Sequence, residues 1–527
     1  MNAAERSANL YDEVLYPAAV HVHTAPDRLA TVGVLRGMQP TRVDHSRVLE
    51  LGCGVGTNLI SMAFNNPNSR FLGIDLAHGP IAAGQKSISE LGLKNIELEP
   101  LDLCEANQQR FGAFDYIIAH GLYSWVPHPV RERILALCRD MLAPQGIAYI
   151  SYNAYPGNHL RELARGIIRF HTTHLKQPLD KIQQARAVLE FLAGSTLIPD
   201  AYTTVLKSEF ERVVKYRDEA FFHDDLSEIN HSFYFHEFIA DAKRHALQFL
   251  GESSPNEVDP GKVTAEVLSK LNELQGGNEI VREQYKDFVR GCGFRRTLLC
   301  HQDVGLAPTR LPEKVKALYI SCDASPVQSD GEHISSRTVF RRSDGTEIET
   351  EHPLIVAALN YICSEWPCTI AFASVLDRAR SSVPGNTAAS SLDADAASLA
   401  EALLKAYESG FLQLHVGLRS VVNSLSDCPV SSALARFELK RGPLATSQLH
   451  KFVRLEDPIS RRLVQLLDGS GDYKSILHAL LSSIKSDPVE LYENGALLID
   501  PDLISHAVEK RLPEVMRALV REGLLVG

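Results

Sequence analysis

Glu50-Leu51-Gly52-Cys53-Gly54-Val55-Gly56 sets an acid and three glycines on alternate positions, and Asp75 closes the next apolar run, Arg70 to Asp75. Glycines at that spacing let backbone amides approach a ligand with no Cβ in the way. An acid at the end of the following strand is placed to accept hydrogen bonds from both hydroxyls of a ribose. An adenosine ligand fits both features. Dinucleotide sites favour G-x-G-x-x-G, with a pyrophosphate on the helix N-terminus. Here the third glycine comes two residues after the second, and Glu50 precedes the loop. A carboxylate repels a pyrophosphate and attracts the ammonium of a methionine moiety. The constellation favours S-adenosylmethionine over NAD.

The elements that must position these residues alternate. Arg47 to Leu51 reads as a short buried strand, Gly52 to Thr57 as a turn, and Asn58 to Phe64 as the opening of a helix. Arg70–Asp75, Ile96–Leu98, Phe114–Ala119 and Gly146–Tyr152 follow as strands, with helices between them. The helix Val130–Leu142 stops at the breaker cluster Ala143-Pro144-Gln145-Gly146. Apolar strands without alternation, separated by helices, indicate a parallel sheet covered on both faces. Its ligand sits at the strand C-termini. From Asn158 to Val304 the reading is helical, with no comparable buried strand. Polar breaks lie at Gly251–Gly261 and Ser321–Ser336, a hairpin is expected around Ser343-Asp344-Gly345, and Pro384–Ala397 reads as a loop. The expected division is 1–157, 158–330, 331–436 and 437–527.

A chain of 527 residues exceeds what one core supports, so several domains are expected. A net charge of −11 argues against nonspecific attraction to nucleic acid or anionic membranes. Met1 to Leu10 is polar, and no run is long and apolar enough for a membrane span. Nine cysteines without a CxxC pair suit free thiols in a reducing cytoplasm, and no metal site is expected.

Other segments carry a more specific signal: Tyr11-Asp12-Glu13-Val14, Tyr16-Pro17, Pro26-Asp27-Arg28-Leu29, Ile118-Ala119-His120-Gly121, Tyr123-Ser124-Trp125-Val126-Pro127 and Ser151-Tyr152-Asn153. With E-x-G-x-G-x-G, Asp75 and Asp102, they resemble class I methyltransferases carrying a methyltransferase regulatory domain. That branch includes bacterial protein-lysine methyltransferases of outer-membrane proteins. The resemblance implies an α/β, Rossmann-like sheet, then a helical regulatory domain around His223-Asp224-Asp225-Leu226 and Phe235-His236-Glu237-Phe238, then a winged-helix-like α+β tail. It further implies that Gly52, Gly54 and Gly56 line the methionine and ribose side, with Glu50 beside them, and that Asp75 holds the ribose. Asp102 and Leu103 would lie at the adenine, and His120 and Gly121 under the sulfonium. Tyr11, Cys53, Asn58 and Leu76 complete the expected cofactor contacts. Val55 stands where relatives often carry an acid.

His120, Tyr16, Tyr123, Trp125 and Asn153 are the candidates near the reacting atoms. A lysine nucleophile must be neutral, and an aromatic, desolvating site favours the neutral amine. The cluster from His223 to His245 lacks the HExxH spacing of a metal site and reads as structural or capping, with an acidic and aromatic interaction surface as the alternative. The tail from Arg436 carries thirteen basic and thirteen acidic residues, so protein contact or dimer support fits it better than DNA. The expected activity is methyl transfer to a protein, with lysine as acceptor. The rivals are a small-molecule N- or O-methyltransferase and a catalytically idle interaction protein. Residues beyond Asn158 are expected to select the acceptor and to leave cofactor binding alone.

Overall fold

A computed structural model of the chain describes residues 14, 16–195, 200–254, 265–274, 276–327, 337–383, 392–493, 496–498 and 500–527. Its centre is a seven-stranded sheet. In chain order the strands are β1 (Arg47–Leu51), β2 (Arg70–Asp75), β3 (Ile96–Pro100), β4 (Phe114–Ala119), β5 (Leu142–Asn153), β6 (Leu247–Glu252) and β7 (Phe294–His301). The spatial order is β3-β2-β1-β4-β5-β7-β6. The first five strands pair in parallel, and β7 runs antiparallel between β5 and β6. Side chains alternate across the sheet. Leu49 and Leu51 enter one apolar layer with Ile117 and Ala148, while Val48 enters the other with Tyr116, Ile118 and Tyr149. The expected α/β, Rossmann-like class holds.

Two expectations fail here. The segment after Asn158 does contain buried strands, and β6 and β7 complete the sheet across the proposed boundary at 157. They were hidden because β7 carries Arg295 into the interior. Arg295 is buried, and its guanidinium donates to Asp287 (2.9 Å) and Glu252 (2.7 Å). A charged residue paired this way can be buried, but it breaks the apolar pattern by which a strand is read. β5 also starts earlier than Gly146, at Leu142. Pro144 falls in an irregularity where the register shifts between Phe114 and Tyr116, a place that tolerates a missing N–H donor.

The long connection from β5 to β6 is a helical insertion: Asn158–Thr172, Pro178–Gly194, Ala201–Lys215, Asp218–Leu226 and Phe235–Arg244. The first four share a small core built on Ile168, Leu189, Leu206 and Phe221. Beyond the sheet, short strands and the helices Pro353–Ser364, Phe372–Ser382 and Leu392–Glu408 form a separate core. The hairpin is present as Thr338–Arg342 against Glu347–Thr350. The loop expected over 384–397 ends early, because the helix starts at Leu392; 384–391 lie outside the described residues. The C-terminal core joins Ala433–Leu439, Pro458–Leu466, Tyr473–Ser486 and Pro501–Arg521. Ala433–Leu439 crosses the expected boundary at 436, and Val430 and Ser431 bridge to Asp468 and Leu525. That boundary therefore belongs further upstream. Among the described residues no helix is long and apolar enough to cross a membrane.

Candidate active site

β1 lies between β2 and β4, so its C-terminal end opens at the centre of the sheet edge. The loop leaving it has Gly52, Gly54 and Gly56 at positive φ, 73°, 54° and 70°, where a side chain is strained. The three glycines do different work. A Cβ on Gly54 would meet no atom within 4 Å, and both Gly52 and Gly54 line a cavity of about 310 Å³. Gly56 does not line it. A Cβ there would lie 2.6 Å from Leu98 Cδ1, so this glycine lets the loop pack onto β3. Asp75 shapes the same loop: Oδ2 accepts from Gly54 N–H at 2.8 Å and Oδ1 from Ala77 N–H at 2.9 Å.

Glu50 is buried at the cavity's inner wall. Oε1 accepts from Asn58 Nδ2 at 2.8 Å, and Oε2 is buried without a partner. Burial pushes the carboxyl up to about 7; the Asn58 hydrogen bond opposes this and the Asp75 charge adds to it. An orphaned buried acceptor costs about 1–3 kcal/mol unless a ligand satisfies it. The ammonium of an S-adenosylmethionine amino-acid end matches that oxygen in charge and donor number, so the residues present fit this group.

Asn58 is braced from far along the chain. Its Oδ1 accepts from His21 N–H (3.0 Å), which fixes the amide orientation, and Nδ2 then donates to Glu50 and to Thr24 Oγ1. His450, in the C-terminal unit, places Nε2 3.0 Å from Asn58 Oδ1 and Nδ1 2.9 Å from Ser61 Oγ. With Oδ1 an acceptor, Nε2 must carry the proton and Nδ1 must accept from Ser61. Burial depresses this imidazole to about 3, so it is neutral. His450 also sits at φ 54°, a costly conformation for a non-glycine residue. The expectation that residues beyond Asn158 leave the cofactor site alone is thus corrected.

Along the cavity, Cys53 and Leu76 join the loop side, and Asp102 and Leu103 stand beyond β3. Asp102 Oδ1 also accepts from Cys104 N–H at 2.8 Å. His120 and Gly121 follow β4; Gly121 N–H donates to Ser151 Oγ at 2.8 Å. His120 Nδ1 lies 2.8 Å from Tyr149 Oη, and its ring packs tilted by 35° against His21, centroids 3.8 Å apart. Burial first, then His21 and Arg296, hold His120 well below the usual imidazole range.

Tyr16 and Trp125 line the mouth, joined by Asp224 and Ile229 from the helical insertion. Tyr16 donates weakly to Asp224 Oδ1, at 3.4 Å. Burial holds the Asp224 carboxyl above the usual range, with Arg161 pulling it down. Its neighbour Asp225 is the structural one. It is buried and accepts from both Arg161 (3.0 and 3.0 Å) and Arg212 (2.8 and 3.2 Å).

Two proposed catalytic residues are elsewhere. Tyr123 is buried among Tyr152, Phe233 and Phe238, with a T-shaped contact to Phe238 at 5.3 Å. In the short helical turn Tyr123–Trp125, Tyr123 faces the core and Trp125 the cavity. Asn153 is buried and donates to Asn230 Oδ1 at 2.8 Å. It pins the segment that carries Ile229 but does not line the cavity. Tyr11 lies outside the described residues. His21, Asp224, Ile229 and His450 were missed as site residues. The signal for Asp224 lies in the His223-Asp224-Asp225 run, whose acidic and aromatic character is the alternative to a structural role. The remaining histidines and acids of that cluster find separate partners. His223 Nε2 meets Val14 O, His236 meets Gln284, and His245 meets Glu132.

Comparison with known proteins agrees with this geometry. A methyltransferase domain family matches residues 49–148, the "Predicted methyltransferase regulatory domain" matches 217–301, and the PKMT C-terminal winged helix domain matches 427–524. An uncharacterized protein of Rickettsia prowazekii is 31% identical over 98% of this chain and 94% of its own length. A second from that organism is 38% identical over 46% of this chain and 96% of its own. The solved structure of PKMT2 from Rickettsia typhi covers 97% of this chain and 100% of its own, at 28% identity and a TM-score of 0.85; it has also been solved in complex with AdoHcy. An alternating glycine loop, a β3-β2-β1-β4-β5-β7-β6 sheet and these matches agree: the chain belongs to the class I S-adenosylmethionine-dependent methyltransferases that carry a methyltransferase regulatory domain and a PKMT-type winged helix domain.

Proposed function

We propose that this enzyme methylates lysine side chains of a protein acceptor. The carrying observation is the cavity mouth, where an aromatic wall of Tyr16 and Trp125 meets a single carboxylate, Asp224. That combination suits the apolar stem and cationic head of lysine. The likeness to PKMT2 across nearly the whole chain supports the same reading, since PKMT denotes protein-lysine methyltransferases.

S-adenosylmethionine supplies, when bound, a sulfonium-activated methyl group open to in-line displacement. The chain's own residues hold and orient. Glu50, kept in place by Asn58, offers its free oxygen to an ammonium; Asp75 and Asp102 offer carboxylates to the ribose and adenine side. Orientation of this kind is worth about 7–11 kcal/mol. An acceptor lysine must first lose a proton, which costs about 4.6 kcal/mol at pH 7 from a pKa near 10.4. His120 is a poor receiver for that proton, because burial keeps its ring neutral and weakly basic. Asp224, beside Tyr16 and Trp125 in the cavity lining, offers a carboxylate that draws in the ammonium. The test is methyl transfer to protein by the wild type and by Asp224→Asn. The reading expects a loss of catalytic rate with the cofactor dissociation constant unchanged. An unimpaired Asp224→Asn enzyme removes Asp224 from this role.

A further inference from the structure

On the other side of the turn Val22–Thr24 lies a second cavity, of about 170 Å³. His21 lines the cofactor cavity and His23 lines this one. The walls come from the helix Pro26–Leu35, Ser254 just past β6, the strand Thr338–Arg342, the helix Leu392–Glu408 and the strand Gln413–His415. In a chain of net charge −11, no aspartate or glutamate lines it, while two arginines, Arg28 and Arg342, do.

Arg28 decides the reading. Among the described residues its guanidinium makes no hydrogen bond and no ion pair, and it is half-buried in the wall of this cavity. The adjacent carboxylate, Asp27, is already committed: Oδ2 to His415 Nδ1 at 2.6 Å and Oδ1 to Val416 N–H at 2.9 Å. Arg342 is held by Asp323 (2.6 Å) and Asp344 (2.7 Å) through Nε and Nη1, which leaves Nη2 for the cavity. Gln413 accepts from Arg419 through Oε1 and keeps its amide N–H groups. The Tyr407 hydroxyl is a further donor. Burial lowers the Arg28 pKa, with the Tyr407 and Asp27 charges opposing it and the Arg342 charge adding to it. An unpaired guanidinium away from bulk water is costly.

We propose that this cavity is a binding site for a small phosphate-class oxyanion, gripped by the Arg28 fork with Arg342, Gln413 and Tyr407 completing its shell. Guanidinium forks match phosphate oxygens in pairs. Donors converging from several walls suit a tetrahedral anion better than a flat carboxylate. The volume is about half that of the cofactor cavity, which favours a small inorganic anion over a nucleotide. Bound there, the anion ties the helix Pro26–Leu35 to the strands Thr338–Arg342 and Gln413–His415.

The test is inorganic phosphate added to the full-length chain at constant ionic strength. Saturating S-adenosylhomocysteine blocks the cofactor cavity. Melting temperature and titration calorimetry are read together. The wild type should gain a saturable stabilisation that chloride and acetate do not reproduce. Arg28→Gln, which removes an unpaired cation, should melt no lower than wild type without phosphate and should lose the phosphate response. Arg28→Lys keeps the cation without the fork and should bind phosphate at least roughly tenfold more weakly. It also serves as the variant if Arg28→Gln does not fold. No phosphate-specific stabilisation of the wild type, acetate binding as tight as phosphate, or either variant responding like wild type overturns the proposal.

Discussion

His450→Gly isolates the brace that reaches the cofactor site from the C-terminal unit. The position is at φ 54°, so glycine removes the ring without adding backbone strain. Two hydrogen bonds are lost, to Asn58 Oδ1 at 3.0 Å and Ser61 Oγ at 2.9 Å. Asn58 Oδ1 keeps the His21 N–H, so its amide loosens without being abandoned. What weakens is the hold of Nδ2 on Glu50 Oε1, a hydrogen bond to a charged acceptor worth about 1.5–3 kcal/mol when intact. Losing part of it should cost about 1–2 kcal/mol of cofactor binding, or about 5–30-fold in dissociation constant. The assay is calorimetric titration with S-adenosylhomocysteine and, in parallel, with methylthioadenosine, which lacks the amino-acid end that Glu50 would receive. The first should weaken by that factor and the second by less than about twofold, under 0.4 kcal/mol. Equal weakening of both ligands would mean a general loss of the pocket. No weakening of either would mean that the network is only packing. Both results refute the reasoning.

Four further outcomes follow from the same geometry. Gly56→Ala should lower the melting temperature more than Gly54→Ala, because both share the positive-φ strain but only the Gly56 Cβ meets Leu98, at 2.6 Å, whereas the Gly54 side chain projects into the cavity and should weaken cofactor binding in titration. Asp75→Ala should weaken cofactor binding by about 1.5–3 kcal/mol in calorimetry, and an unchanged constant in a folded variant removes its assignment. Burial holds Glu50 at about 7 when folded against 4.5 unfolded, so the unfolded chain sheds its proton first. Stability of the ligand-free protein should then fall by about 3 kcal/mol as pH rises through that window. Cofactor binding near pH 6 should release a proton, seen by calorimetry in buffers of different ionisation enthalpy and absent in Glu50→Gln. Asp225→Ala leaves Arg161 only Asp224 and Arg212 only Glu209, and denaturant unfolding should show the helical insertion destabilised by about 1.5–3 kcal/mol.

The parts of this molecule legible in its sequence are the local ones. The glycine loop, Asp75 and the five parallel strands announce themselves because turn chemistry and apolar runs are short-range signals. Glu50 was legible as an acid set beside the loop, and the structure places it in the cavity wall with one oxygen unpartnered. β6 and β7 were not, since Arg295 and its carboxylate partners disguise a buried strand, and a helical insertion separates β6 from β5. Tyr123 and Trp125 are alike in sequence but face opposite ways from one turn, which only packing decides. Asp224 and Asp225 divide in the same manner, one to the cavity and one to two arginines. His450 lies 392 residues from Asn58, and no local pattern announces such a contact.

The central claim is methyl transfer to protein lysine. Its most direct test incubates the enzyme with methyl-labelled S-adenosylmethionine and a cell-envelope extract, separates protein from small molecules, and hydrolyses the protein for amino-acid analysis. The account predicts label in the protein fraction, recovered as N-ε-methylated lysine and lost with Asp75→Ala. Label confined to small molecules, or carried by a protein residue other than lysine, would contradict it.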